Sequence, residues 1–148
     1  MATSITHPVL GTLRWEPEHS RWLGEVRFTS CALGDLVIDP GEAGVDFLDK
    51  AAALCLRLLA AEPRIRREAA VAKDGILDLY RHWRDADDPE LTAEGLASRL
   101  EPVFLRIDTV VPVILSYALG ERNEVFGGHA IDVELNDKLE IKAVNLVG

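Results

Sequence analysis

The chain changes periodicity twice, and the order of those changes constrains its fold more than any single motif. Near the start, Val9, Gly11, Leu13 and Trp15 alternate with Leu10, Thr12 and Arg14, the period of two that marks a half-buried strand. After the polar loop 16–20 the alternation resumes with Trp22, Gly24, Val26 and Phe28. Setting Trp15 opposite Trp22 puts both apolar sets on one face, so the two segments read as a hairpin. Leu36-Val37-Ile38 reads as a third strand, stopped by Asp39-Pro40-Gly41. The eight residues before Val9 read as a polar tail.

Helical spacing then takes over. Phe47, Leu48, Ala51, Leu54, Cys55, Leu58 and Leu59 predict a helix from Asp46 to Ala61. Pro63, a residue suited to a first helical turn, predicts the start of a second helix running to about Trp83. The stretch 85–90, rich in aspartate and closed by Pro89 and Glu90, breaks it. Thr92 is placed to cap a short third helix ending near Leu100, with Leu91 and Leu96 as its hydrophobic staple.

Alternation returns at Val103, Leu105 and Ile107. Val111 to Leu119 is apolar on both parities and reads as a central strand covered on both faces. His129, Ile131, Val133 and Leu135 share one parity of the next strand. A three-residue loop at Asn136-Asp137-Lys138 would set Leu135 against Leu139 and Val133 against Ile141. Strands, then helices, then strands predict one α+β domain over 1–148. It comprises an N-terminal antiparallel β-meander, a central section of two longer helices and one short helix, and C-terminal antiparallel strands. The helices pack on one face of the sheet.

Charge narrows the function. The formal net charge is −9 over 148 residues, so no basic face is expected for nucleic acid, and a protein partner, if charged, is expected to be basic. No apolar run reaches the ~18 residues of a membrane span. Cys31 and Cys55 form no CxxC pair and no signal segment opens the sequence, so a cytoplasmic chain with reduced thiols is expected. Cys55, within an apolar helical run, reads as core filler.

Few residues suggest chemistry. His7 and His19 fall in tail and turn, and His82 lies late in a helix. His129 follows Gly127-Gly128, which makes His129, Gly127 and Gly128 the candidate ligand-binding residues. Phosphate binding is not expected there, because a strand rather than a helix follows the glycines. The parity of His129 matches the buried set and places no nearby carboxylate beside it, so a structural role tying down the strand is the first expectation. The acidic stretch 85–90 has Pro89 and Glu90 where a calcium loop needs a ligand and then glycine. Arg64, Arg66 and Arg67 are diluted by Glu68 and Asp74 into a solvated face. Trp15, Trp22, Tyr80 and Trp83 read as core. No catalytic residue, metal site or cofactor is expected, and an enzyme is the less favoured class.

Three stretches carry a family resemblance. They are His7-Pro8-Val9-Leu10-Gly11-Thr12-Leu13, the hairpin containing Trp22-Leu23-Gly24, and Phe126-Gly127-Gly128-His129-Ala130-Ile131. Together with the helix start at Leu91-Thr92, they make the chain resemble a bacterial family classed as domain of unknown function 2262. The resemblance implies a bacterial cytoplasmic domain and supplies no activity, ligand or site residue. The expected function is a non-enzymatic protein-interaction module, with a toxin-neutralising immunity protein as one specific form. The alternative is a small-molecule-binding protein or enzyme with a pocket near His129. Homodimer formation through an exposed sheet edge is a further expectation.

Overall fold

The computed structural model describes residues 3–120, 125–126 and 129–147. Among these residues eight strands form one sheet in chain order: β1 (Ser4–His7), β2 (Gly11–Glu16), β3 (Arg21–Arg27), β4 (Leu33–Asp39), β5 (Leu100–Asp108), β6 (Val113–Leu119), β7 (Ala130–Leu135) and β8 (Ile141–Val147). A 3-10 turn (Gly41–Asp46) and helices α1 (Phe47–Val71), α2 (Ile76–Trp83) and α3 (Ala93–Arg99) connect β4 to β5. Neighbouring strands are antiparallel except β4 and β5, which run parallel because the helical section carries the chain back to the starting end. The α+β architecture is as expected, with the helices on one face.

The tryptophan hairpin is also as expected. Trp15 pairs with Trp22 across β2 and β3, their rings meeting edge to face at 5.0 Å. The first strand is not a solvated tail. Ser4–His7 pairs with Gly11–Arg14, and the His7 side chain is only 12% exposed. Its Nδ1 accepts the Val9 N–H at 3.1 Å and its Nε2 meets Asp49 Oδ1 at 2.8 Å. The histidine therefore closes the β1–β2 turn and ties it to α1, using one nitrogen as acceptor and the other as donor.

Pro63 starts no helix, because α1 runs through it to Val71. Proline removes one intrahelical hydrogen bond, but the buried positions Leu58, Glu62, Ile65 and Ala69 stay in phase on either side. Tertiary packing of that stripe outweighs the local cost. The break falls at Ala72–Gly75 instead, and α2 begins at Ile76. Trp83, expected in the core, is 42% exposed.

α3 is capped as expected: the Thr92 hydroxyl accepts the Gly95 N–H at 3.0 Å, and Leu96 is fully buried. Thr92→Ala should cost about 1 kcal/mol, read as a lower denaturant midpoint with an unchanged slope. β5 begins at Leu100 and includes Pro102, which lies beside the register shift between Pro102 and Phe104. Pairing with β4 begins only at Phe104, so the missing proline N–H costs no bond to β4.

Two expectations for the C-terminal strands are corrected. Val113, Leu115 and Tyr117 of β6 are fully buried under the helices, while on the other parity Ile114 and Ala118 are half-buried and only the small Ser116 between them is buried. One helical layer therefore covers β6, and covers it on one face. The β7–β8 loop is longer than three residues: Leu135 pairs with Ile141, and Leu139 sits in the turn with φ 62. The Asn136 carboxamide oxygen accepts the N–H groups of Lys138 and Glu140 at 3.0 and 2.9 Å. This side chain substitutes for ladder bonds and holds the wider turn.

The core is one cluster between sheet and helices, centred on Leu36, Ile38, Leu105, Ile107, Leu115 and Val133. Cys55 lies within it, its thiol pushed up to about 11 by burial, which keeps it protonated and unreactive. Among the described residues no helix is long and apolar enough to cross a membrane.

Candidate functional site

Gly127 and Gly128 lie outside the described residues. His129 stands one position before β7 and is half-buried. Its backbone N–H donates to the Phe126 carbonyl at 2.9 Å, and its ring meets Trp83 edge to face at 5.7 Å. Phe126, 2% exposed, packs in turn against Trp83 and Tyr80 at 6.3 and 6.4 Å. The Tyr80 hydroxyl donates to the Pro89 carbonyl at 2.6 Å. The motif containing His129 is thus seated on an aromatic group from α2. The parity of β7 is as expected, with Ile131, Val133 and Leu135 buried.

A different surface draws together more exposed chemistry. Residues alternating with the core set point away from the helices, and the strand registers arrange them in rows. One row runs Arg14, Leu23, Val37, Arg106, Ile114, Glu134, Ala143. The next runs Glu25, Asp35, Phe104, Ser116, Asp132, Asn145. A groove of about 830 Å³ opens on the β2–β4 part of this face, lined by Leu23, Val37 and Phe104 together with Arg14, Glu25 and Asp35. It lies where the β2–β3 ladder stops, since pairing extends only from Glu16↔Arg21 to Arg14↔Leu23.

The charges on this face fall into two groups. Some are satisfied within the chain. Arg21 Nε donates to Glu16 at 2.8 Å, and this bond, helped by His19, holds the Glu16 carboxyl below its usual range. Arg106 bridges Asp39 and Asp108 through Nη2 at 3.2 and 3.1 Å, although its buried Nε has no hydrogen-bond partner among the described residues, and those two carboxylates are register partners at the ends of the parallel strands. The Ser116 hydroxyl donates to Asp132 at 2.5 Å. Glu25 and Asp35 differ: both are exposed and face one another across β3 and β4. Like charges directly opposed weaken a sheet, and among the described residues neither carboxylate has an ion-pair partner.

One buried polar cluster lies beneath the helices. Glu62, on the buried stripe of α1, is 0% exposed. Its Oε2 accepts from the Tyr117 hydroxyl at 3.2 Å and meets Arg66 Nε at 3.3 Å, while its Oε1 has no hydrogen-bond partner among the described residues. Burial pushes the Glu62 carboxyl up, opposed by the Arg66 charge and the Tyr117 hydrogen bond. The Tyr117 hydroxyl is also pushed up, by burial first and then by Glu62. Glu62 can therefore exchange a proton, but it faces packed side chains.

Neither Glu62 nor the Glu25/Asp35 pair stood out in the sequence. Glu62 had a signal, a carboxylate between Leu58 and Ile65 on the apolar stripe. Glu25 and Asp35 had none, because their opposition depends on the β3–β4 register. Among the described residues, no group of three or more His, Cys, Asp or Glu side chains is arranged to hold a metal ion. Comparisons of the chain with protein-family models, with curated proteins and with solved structures return no match.

Proposed function

We propose that this chain is a non-enzymatic protein-interaction module that binds a basic protein on the uncovered face of its sheet, in the bacterial cytosol that its resemblance to domain of unknown function 2262 implies. The opposed carboxylates of Glu25 and Asp35 carry this reading. They repel one another in the free chain, and a lysine or arginine placed between them relieves that repulsion on binding. Leu23 and Phe104 beside them, both half-buried, supply the apolar contact that such an interface needs at its centre. The net charge of −9 steers a cationic partner toward the chain from a distance. By analogy, neutralisation of a basic toxin is the specific form that these properties fit.

The test compares the wild-type chain with a Glu25→Lys/Asp35→Lys double variant in co-purification from a native bacterial lysate. The variant keeps a like-charged pair at the same exposed positions, so its melting temperature should stay close to wild type. A partner retained by the wild type and lost by the variant supports the reading. Equal retention by both, or retention by neither, removes it. The alternative, a small-molecule pocket at His129, is favoured by the Trp83–His129 contact at a half-exposed sheet end. A ligand released on denaturing the purified wild type, and absent from His129→Ala, would support it.

A further inference from the structure

The two edges of the sheet are unlike. β1 presents four residues, Ser4–His7, and is followed by Pro8. A short edge ending at proline is a poor template for another strand. β8 presents seven residues, Ile141–Val147, bonded on one side to β7, with no further strand beyond it among the described residues. Its only charge is Lys142, beside the register shift at the start of the strand. The five residues that follow, Ala143-Val144-Asn145-Leu146-Val147, contain no charge, proline or glycine. Every second residue along an open edge directs an unpaired N–H and C=O outward.

We infer that β8 pairs antiparallel with β8 of a second copy of this chain, about a two-fold axis at Asn145. A two-fold axis requires a strand compatible with its own reverse, and this register meets that condition. Val144 of one copy falls opposite Leu146 of the other. Both already pack against the core and are half-buried, so the pairing extends the strip under the helices. On the uncovered face Ala143 falls opposite Val147, which is 39% exposed in the single chain. Asn145 falls opposite itself, and a carboxamide carries both donor and acceptor, so two copies can bond reciprocally. No charge is opposed to a like charge at any of these positions. A register centred on Val144 instead sets Lys142 against Leu146, leaving the ammonium beside an apolar partner.

The net charge of each copy opposes this pairing, and salt screens that repulsion. Association of the two copies should therefore strengthen with ionic strength. Binding of a basic partner on the uncovered face should weaken with it, so the two events are separable.

The experiment is sedimentation of purified full-length chain across the micromolar range at low and high salt. Hydrogen exchange is followed at the same concentrations. The wild type should show a monomer–dimer equilibrium favoured by salt, with protection at residues 143–147 rising with concentration. Asn145→Asp opposes two carboxylates on the axis and should weaken the dimer by about tenfold or more, while Asn145→Ala, which loses the reciprocal carboxamide bond but adds no charge, should weaken it clearly less. A wild-type monomer throughout, unchanged protection of β8, or an Asn145→Asp dimer as tight as wild type would each overturn the inference. Any of these results leaves the use of the uncovered face standing.

Discussion

Arg66→Ala is expected to destabilise the chain by about 3 kcal/mol at an alkaline pH, where Glu62 is ionised, and by much less at an acid pH, where it is protonated, because it removes the countercharge of a buried carboxylate. Glu62 is fully buried, and Arg66 Nε lies 3.3 Å from its Oε2. Burial raises the Glu62 carboxyl above its ordinary value, so the native state keeps this proton to a higher pH than the unfolded chain does. The stability contributed by that proton is fully present below the ordinary carboxylate range and is lost as pH rises through the raised native value. Above that value the ionised carboxylate depends on Arg66, and below it the neutral acid does not. Urea unfolding at the two pH values provides the check. An equal loss at both would mean that Arg66 acts through its packing and its 3.5 Å contact with the Leu100 carbonyl rather than through charge. Glu62→Gln in the same background should remove most of the pH dependence.

Gly75→Ala is the second large effect. A Cβ at this position would lie 2.4 Å from the Ala69 carbonyl oxygen and 2.7 Å from that of Ala72. Both atoms are backbone, so neither can turn aside as a flexible side chain would. Relief requires reopening the turn, in which the Gly75 N–H donates to the Ala72 carbonyl at 2.8 Å. That turn also sets the direction of α2, which buries Ile76 and Tyr80. A loss of about 3 kcal/mol is expected, the upper end of overpacking costs, measured as a reduced unfolding free energy. A variant as stable as wild type would show that the chain takes another path between α1 and α2.

Where the sequence was legible, several residues agreed on one answer. The tryptophan hairpin needed only period-two alternation and the match of Trp15 to Trp22. The Thr92 cap needed only a hydroxyl before an apolar run. Reading failed where a local signal competed with packing. Pro63 is a strong start signal, yet the stripe through Leu58, Glu62 and Ile65 holds α1 together across it. The Asp74-Gly75 pair is a turn signal too, masked by the apolar spacing that continues on both sides. β1 escaped notice because a short edge strand with Ile5 as its one large apolar residue carries no usable alternation. Leu139 looked like a strand residue by parity, but the Asn136 side chain commits it to the turn.

The site followed the same division. The parity of β7 could be read, and the half-buried place of His129 against Trp83 could not, because Trp83 arrives from a helix far away in the chain. The rows across the uncovered face are properties of register. Glu25 and Asp35 look like ordinary polar residues in their own strands, and only pairing turns them into opposed charges.

The parallel contact of β4 with β5 bears on how the molecule assembles. Asp35–Asp39 meets Phe104–Asp108 with the entire helical section between them, whereas every other ladder joins strands adjacent in sequence. Each four-stranded half can therefore zip up from local hairpins on a fast timescale. Joining the halves means closing one long loop, and the entropy of that closure must be met before the central pairing returns any energy. The seam between β4 and β5 is therefore expected to set the pace of folding.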